Sequence, residues 1–273
     1  MKQVLFVGAG QQFPRGPFAF LKSMQQEERV HARALFFKPV DQASLMAVAM
    51  SSGLTPILQL DEKEEETIAI HKALFAKECG QNNIRYSIHE SDQPWDRDLL
   101  VRESRFADLI LISGELFFAD AGTRQPNAYL REALHAAECP VLIVPETFSS
   151  VGQLYIAYDG GPESCYAMKQ FCHLFPRLAD LPTEIVYVKD ESNQSIPEID
   201  NLRQLSRLKF NSMSFSKLHF KAREHFATWI GEKQHVLLVT GSFGRSAVSY
   251  LAQRSFAEDV IRDHQLPVFI AHH

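Results

Sequence analysis

The chain has 273 residues, which is enough for two domains of ordinary size that each bury a core of their own. Its formal net charge of −5 disfavours a nucleic-acid-binding protein, because such a surface needs a basic stripe. No apolar run approaches the roughly 18 residues of a membrane-spanning helix, and the first residues are typical of a strand rather than a signal peptide. We therefore expect a soluble, cytoplasmic protein that binds neither nucleic acid nor membrane.

The first half of the chain alternates apolar runs with amphipathic segments, which predicts strands and helices in turn. We expect strands at residues 4–7, 31–37, 84–88, 109–112 and 140–144, and helices at 17–28, 61–79, 96–106 and before residue 140. The acidic residues 61–66 suit the first turn of the helix that they begin. Residues 43–50 are apolar on nearly all sides, which is typical of a core or a chain–chain interface; a pocket lining is the alternative.

The second half repeats this order after a linker at residues 145–152. We expect strands at 154–158, 184–188, 213–218, 236–240 and 268–271, and helices at 164–178, 198–208, 222–231 and from residue 255. Such alternation predicts a parallel sheet that is covered by helices on both faces. The sequence therefore predicts an α/β protein with two tandem doubly wound parallel-sheet domains, at residues 1–146 and 152–273.

The two halves share landmarks that indicate a tandem duplication. Gly114 precedes Pro140 by the same number of residues as Gly241 precedes Pro267. Apolar residues also fall at matching distances before each proline. We infer that the halves are copies of one ancestral unit.

A glycine loop, residues 241–244, follows the predicted strand at 236–240. Ser255 stands three residues before Glu258, which is the capping-box pattern of a helix start. A strand, a glycine loop and a helix N-terminus favour an anion such as phosphate, because unpaired N–H groups and the helix dipole meet there. In the alternative interpretation the glycines only turn the chain.

This spacing, Gly241-x2-Gly244-x9-Arg254-Ser255, resembles the signature of the universal stress protein family, Gly-x2-Gly-x9-Gly-Ser/Thr, with Arg254 in place of the last glycine. Residues 155–164 resemble the first strand and the Asp-Gly-Ser-x-x-Ser turn of the same family. The resemblance covers residues 153–273 and implies domains of the adenine-nucleotide alpha hydrolase-like type. It also implies an intrachain pseudo-dimer, in which the last strands of the two copies pair antiparallel.

The family resemblance implies a regulatory protein of the stress response that binds ATP or ADP, with or without Mg²⁺, in its second domain. Asp159 would meet the adenosine, and Val188 would offer backbone groups to adenine. The glycines and Ser255 would cradle the ribose and phosphates. The implied nucleotide-binding residues are Asp159, Gly160, Val188, Gly241, Gly244, Arg245, Ser246, Arg254 and Ser255.

Two of these residues have a second interpretation. From its neighbours alone, Asp159 is equally a turn acid that precedes a proline at a helix start. The Arg254 side chain either contacts phosphate oxygens or blocks the loop. In the first copy Ala9 stands at the position of Asp159 and Phe117 at that of Gly244, so we expect at most one adenine nucleotide per chain.

Two other functions stay open: a nucleotide-free module that binds a protein or a small ligand, and a slow ATPase. The sequence has no Gly-Lys-Ser/Thr of a P-loop and no Gly-x-Ser-x-Gly elbow, so we predict no catalytic residues and no enzyme. Its cysteines and histidines lack metal-ligand spacing, so we predict no metal site. A homodimer and a regulatory protein partner both remain open.

Overall fold

The computed structural model describes residues 1–9, 12–37, 62–89, 97–117, 135–187, 195–218, 222–241 and 266–271. The chain divides into two compact units, residues 1–137 and 138–273. Among the described residues, no helix is both long enough and apolar enough to cross a lipid bilayer.

The described part of the first unit contains a parallel sheet with the strand order β3-β2-β1-β4. Its strands are β1 (Lys2–Ala9), β2 (Val30–Phe37), β3 (Arg85–His89) and β4 (Leu109–Ser113). Its helices are α1 (Arg15–Glu27), α2 (Glu62–Gln81), α3 (Arg97–Ser104) and the short α4 (Gly114–Phe117).

Helices cover both faces of this sheet. Phe6 of β1 packs on one face against Phe18 of α1 and Phe75 of α2, with ring centroids 6.2 and 4.9 Å apart. Arg33 of β2 points to the other face, since it pairs across the strands with Leu5, the neighbour of Phe6. On that face its guanidinium forms an ion pair with Glu103 of α3.

The described part of the second unit contains a sheet with the order β5-β10-β9-β6-β7-β8. All neighbouring strands are parallel except β5 and β10. The strands are β5 (Val141–Val144), β6 (Gln153–Tyr158), β7 (Thr183–Tyr187), β8 (Met213–Lys217), β9 (Val236–Thr240) and β10 (Val268–Ile270). The helices are α5 (Pro162–Leu174), α6 (Ile199–Arg207) and α7 (Ala222–Gly231), with a 3-10 turn at Leu178–Asp180.

The second sheet is also covered on both faces. Tyr155 of β6 packs edge-on against Trp229 of α7, with ring centroids 5.3 Å apart. Its neighbour Ile156 points to the opposite face, where Phe269 of β10 packs against Phe171 of α5 at 5.3 Å. The strand order of the first unit recurs here as β8-β7-β6-β9, so the predicted α/β fold of tandem doubly wound domains is confirmed.

The pairing that we expected between the last strands of the two repeats is present within the second unit. β5 and β10 are adjacent and antiparallel, with Ile143 opposite Val268 and Val141 opposite Ile270. By sequence β5 closes the first repeat, whereas by its contacts it belongs to the compact unit that begins at residue 138. The domain boundary predicted from the sequence, at residues 146–152, therefore places β5 in the first domain. The boundary of the compact units, at residue 138, places it in the second.

One helix is shorter than its apolar pattern predicts. The helix expected at residues 164–178 begins at Pro162 and ends at Leu174. Pro176 explains the early end, because proline has no N–H to donate and it disfavours helical backbone in the preceding residue. The apolar segment at residues 43–50 and the helix expected from residue 255 lie outside the described residues.

Candidate functional site

Three neighbouring parallel strands end at one edge of the second sheet. β6 lies between β7 and β9, with Tyr158 opposite Tyr187 and Ile156 opposite Val239. Asp159 follows β6 directly, and Gly241 follows β9. Ligands of open parallel sheets bind outside the carboxyl ends of the strands. Two of the residues predicted to form the site therefore emerge at the edge where a ligand would lie.

Gly241 lies in direct contact with the backbone of the first turn of α5. A Cβ atom at this position would lie 2.8 Å from the carbonyl carbon of Glu163 and 2.9 Å from the amide nitrogen of Ser164. Both distances are shorter than an ordinary contact, so only glycine fits without a shift of the helix. Gly241 therefore has a packing role beside α5, and its role in nucleotide binding stays a prediction.

Asp159 shapes the turn that begins α5. Its Oδ1 accepts a hydrogen bond of 2.8 Å from the N–H of Gly161, and Ser164 Oγ donates one of 2.8 Å to the carbonyl of Gly161. Gly161 is the N-cap residue, and Pro162 follows it at the first helical position. The structure thus bears out the interpretation of Asp159 as a turn acid. Its carboxylate is exposed, and Oδ2 accepts no hydrogen bond from the described residues.

The segment that precedes α6, which contains Pro197, lies against the turn formed by Asp159 and Gly161. Gly160 has a φ of +85°, which favours glycine, and a Cβ there would lie 3.0 Å from the Pro197 ring. The hydroxyl of Tyr158 donates a hydrogen bond of 3.1 Å to the carbonyl of Pro197. The segment therefore covers the end of β6. No sequence signal predicts this contact, because Pro197 is only one proline in a polar stretch.

Two tyrosines close the ends of β6 and β7. The rings of Tyr158 and Tyr187 lie on one face of the sheet, with centroids 6.5 Å apart. Burial, reinforced by the nearby Cys165, Glu198 and Asp159, raises the pKa of Tyr158 to about 12. The hydroxyl of Tyr187 is buried and has no hydrogen-bond partner in the described part of the chain. Such an unpaired group costs roughly 1–3 kcal/mol.

Carboxylates outnumber cations around Cys165 in the described part of this edge. Burial raises the pKa of the Cys165 thiol, the ammonium of Lys169 lowers it, and Glu198 and Asp159 raise it further. Glu163 adds a further carboxylate in the first turn of α5. The described cations near this edge are Lys169 of α5 and Lys217, the last residue of β8.

The corresponding edge of the first unit is filled by aromatic rings. A Cβ at Gly8 would lie 2.8 Å from the ring of Phe36. Phe13 packs against Phe6 nearby, with centroids 6.4 Å apart. After β4 the chain enters α4 at once, and this helix includes Phe117.

Most of the residues implied by the family resemblance are not described by the structure. Asp159, Gly160 and Gly241 can be placed, and the first and last of these contact the same turn of α5. Among the residues that the structure describes, no group of three or more His, Cys, Asp or Glu side chains converges as in a metal site. The site residues outside the described ranges are Val188, Gly244, Arg245, Ser246, Arg254 and Ser255.

The strand order and the loops at this edge define a doubly wound α/β protein. No protein-family model matches the chain. The chain is 29% identical over 146 residues to a universal stress protein of Synechocystis sp., an alignment that covers 52% of this chain and 50% of the relative. The chain thus spans about half the length of the curated relative that it matches.

Solved structures of the same kind match over almost the full chain. A universal stress protein from Archaeoglobus fulgidus has a TM-score of 0.65 at 14% identity, with 99% of this chain and 96% of that one covered. A putative universal stress protein from Pseudomonas aeruginosa has a TM-score of 0.59 at 14% identity, with 100% and 93% covered. These structures establish the fold, and over about half of its length the chain is also similar in sequence to a universal stress protein.

Proposed function

We propose that the protein binds one adenine nucleotide, ATP or ADP, at the carboxyl edge of β6, β7 and β9, and that it regulates a stress response. The observation that carries this proposal is the convergence of two loops on one helix turn. Asp159 accepts a hydrogen bond from Gly161 at the start of α5, and Gly241 packs against Glu163 and Ser164, the second and third residues of that helix. The two loops thus form one corner with the first turn of α5.

This corner offers complementary groups to a nucleoside. Oδ2 of Asp159 accepts no hydrogen bond from the described residues and can accept one from a ribose hydroxyl, while Oδ1 stays bonded to Gly161. The phosphates would lie over the glycine loop at residues 241–244. By the family resemblance Arg245 and Arg254 would supply positive charge to them, with Ser246 and Ser255 as hydroxyl donors and Mg²⁺ as an optional companion.

A single site per chain is expected from the sequence, because Ala9 and Phe117 stand in the first copy at the positions of Asp159 and Gly244. A regulatory role rather than an enzymatic one follows from the sequence, which has no P-loop lysine and no nucleophile elbow. Slow hydrolysis of ATP is the enzymatic alternative, and a turnover assay with the same preparation tests it.

Isothermal titration calorimetry with ATP and ADP tests the proposal, and Asp159→Asn is the informative variant. Asparagine keeps an oxygen for the N–H of Gly161, so the turn persists while the charge is lost. We expect about one nucleotide per chain for the wild type and an affinity roughly 10-fold lower for the variant. Asp200→Asn is the matched control, because Asp200 is a highly exposed carboxylate of α6 that pairs only loosely with Arg203, at 3.4 Å.

A nucleotide-free binding module is the second candidate, and the contact of Pro197 favours it. The Pro197 segment covers Gly160 and takes up the Tyr158 hydroxyl, so the edge is closed on one side without a ligand. In this case the wild type would give no heat of binding with either nucleotide. Such a result would refute the nucleotide proposal and leave the protein as an interaction module of the same fold.

A further inference from the structure

A separate cleft lies at the opposite edge of the second sheet. It has a volume of about 460 Å³ and opens between the loop that follows β5 and the turn that joins α7 to β9. Val236, the first residue of β9, lines it, whereas the glycine loop follows the last residue of that strand. Five residues of strand separate the two places by roughly 16 Å. The cleft is therefore not part of the proposed nucleotide site.

The side chains around the cleft suit an anion. None of the described residues that line it is an aspartate or a glutamate, while Lys233 supplies an ammonium group. The hydroxyls of the loop after β5 and the ring of His235 supply hydrogen bonds. Phe148 and two prolines give it an apolar wall. The residues that line the cleft with hydrogen-bonding side chains are Thr147, Ser149, Ser150, Lys233, Gln234 and His235.

Hydrogen bonds hold the two sides of the cleft together. Ser150 Oγ lies 3.0 Å and Ser149 Oγ 3.5 Å from His235 Nδ1. The carbonyl of His235 accepts hydrogen bonds from the N–H groups of Gly152, at 2.6 Å, and Gln153, at 3.2 Å. His235 has a φ of +54°, a left-handed conformation that few residues adopt without local support. The polar groups are thus fixed before any ligand arrives, which lowers the entropic cost of binding.

Among the described residues, no carboxylate forms an ion pair with the ammonium of Lys233. It lies 5.1 Å from the centroid of the Trp229 ring and, within the described residues, forms no ion pair. Lys2 of the first unit differs, because its ammonium lies 2.9 Å from a carboxylate oxygen of Glu28. A cation held by an aromatic face keeps its position and its positive field.

We propose that this cleft is a binding site for a small organic anion, a phosphate monoester or a carboxylate with a compact apolar body. Lys233 compensates the charge, and the serine hydroxyls together with His235 fix the orientation. Phe148, Pro145 and Pro267 contact the apolar part. The volume is within the range of small-molecule sites and is enough for a single aromatic ring with its anionic group.

The test is a titration of ¹⁵N-labelled protein with phenyl phosphate and benzoate, followed by NMR, with benzyl alcohol as the neutral analogue. We expect one of the two anions to shift the amide signals of Gly152, Gly231 and His235, and benzyl alcohol to shift them little. The stronger anion identifies phosphate or carboxylate as the preferred group. Lys233→Gln should weaken its binding about 10-fold or more.

Lys22→Gln is the matched control, because the Lys22 ammonium also lies over an aromatic ring, at 5.9 Å from the centroid of Phe18 in the first unit. This variant should bind the anion as the wild type does. Ser150→Ala is a second, milder variant that should weaken binding by roughly 5-fold through the loss of one hydrogen bond. Equal binding of benzyl alcohol and the anions, or equal affinities of the Lys233 and Lys22 variants, would overturn the proposal. So would shifts confined to residues outside the cleft.

Discussion

Replacement of Gly241 by alanine is expected to damage the fold of the second unit before it affects any ligand. The new Cβ would lie 2.8 and 2.9 Å from the carbonyl carbon and the Cβ of Glu163, and 2.9 Å from the amide nitrogen of Ser164. Two of these three atoms belong to the backbone of a helix, so rotation of a side chain cannot relieve the contact. Either α5 or the end of β9 must move.

The size of the effect follows from the distances. Optimal separation of non-bonded carbon atoms is roughly 3.5–4.0 Å, so the helix must give way by about 0.6 Å or more. Forcing an extra methyl group into a well-packed interior costs roughly 1–3 kcal/mol. We expect Gly241→Ala to lower the free energy of unfolding by this amount.

Urea denaturation followed by the fluorescence of Trp229 measures the change. This tryptophan packs against Tyr155 within the second unit. The second tryptophan of the chain, Trp95, is replaced by phenylalanine in all proteins compared, so that the fluorescence reports on Trp229 alone. Gly152→Ala is the matched control in the same unit, because a Cβ there meets nothing closer than 3.7 Å. Its effect should stay within about 0.5 kcal/mol. If Gly241→Ala unfolds at the same urea concentration as this control, the packing argument is wrong, and the glycine must be explained by a ligand instead.

Two further predictions concern the same edge of the sheet. Arg254→Gly should bind ATP more weakly than the wild type and lose the salt dependence of binding, if the guanidinium contacts phosphate; a gain in affinity on calorimetry would show that Arg254 blocks the loop. Tyr158→Phe should be less stable than the wild type by roughly 1 kcal/mol at pH 8, because it loses the hydrogen bond to Pro197. As the pH rises from 10 towards 12, Tyr158 ionises in the unfolded chain but keeps its proton in the folded one, so the wild type loses up to about 3 kcal/mol relative to the variant. Urea midpoints of both proteins at pH 8 and 11 check this, and a difference that does not change with pH would contradict it.

The alternation of strands and helices could be predicted from the sequence because it depends on burial, which leaves a periodic trace. The apolar run at Val236–Thr240 is fully buried as a strand. The pairing of β5 with β10 was expected from the resemblance to universal stress proteins, which implies that the last strands of the two repeats pair. The duplication adds only that an equivalent strand ends each repeat.

The contacts at the site could not be predicted, because they join residues that are distant in sequence and leave no pattern. The ring of Pro197 lies against Gly160, and the carbonyl of Pro197 accepts the Tyr158 hydroxyl. Gly241 illustrates a second reason. From the sequence alone, a glycine that lets a ligand approach the backbone cannot be distinguished from a glycine that lets a helix pack against it. Only its distance from Glu163 distinguishes them.

Because β5 ends the first repeat and pairs with β10 of the second, the two repeats cannot be separated at the linker without breaking this strand pair. A cut between residues 146 and 152 would leave β5 on one fragment and β10 on the other. The fragment that starts at residue 152 would then carry an unprotected row of N–H and C=O groups along Val268–Ile270, and such an edge pairs readily with another chain. Another copy of the same fragment offers a self-complementary partner through a two-fold axis. In the intact chain this edge is satisfied within one polypeptide, so it does not depend on the concentration of the protein.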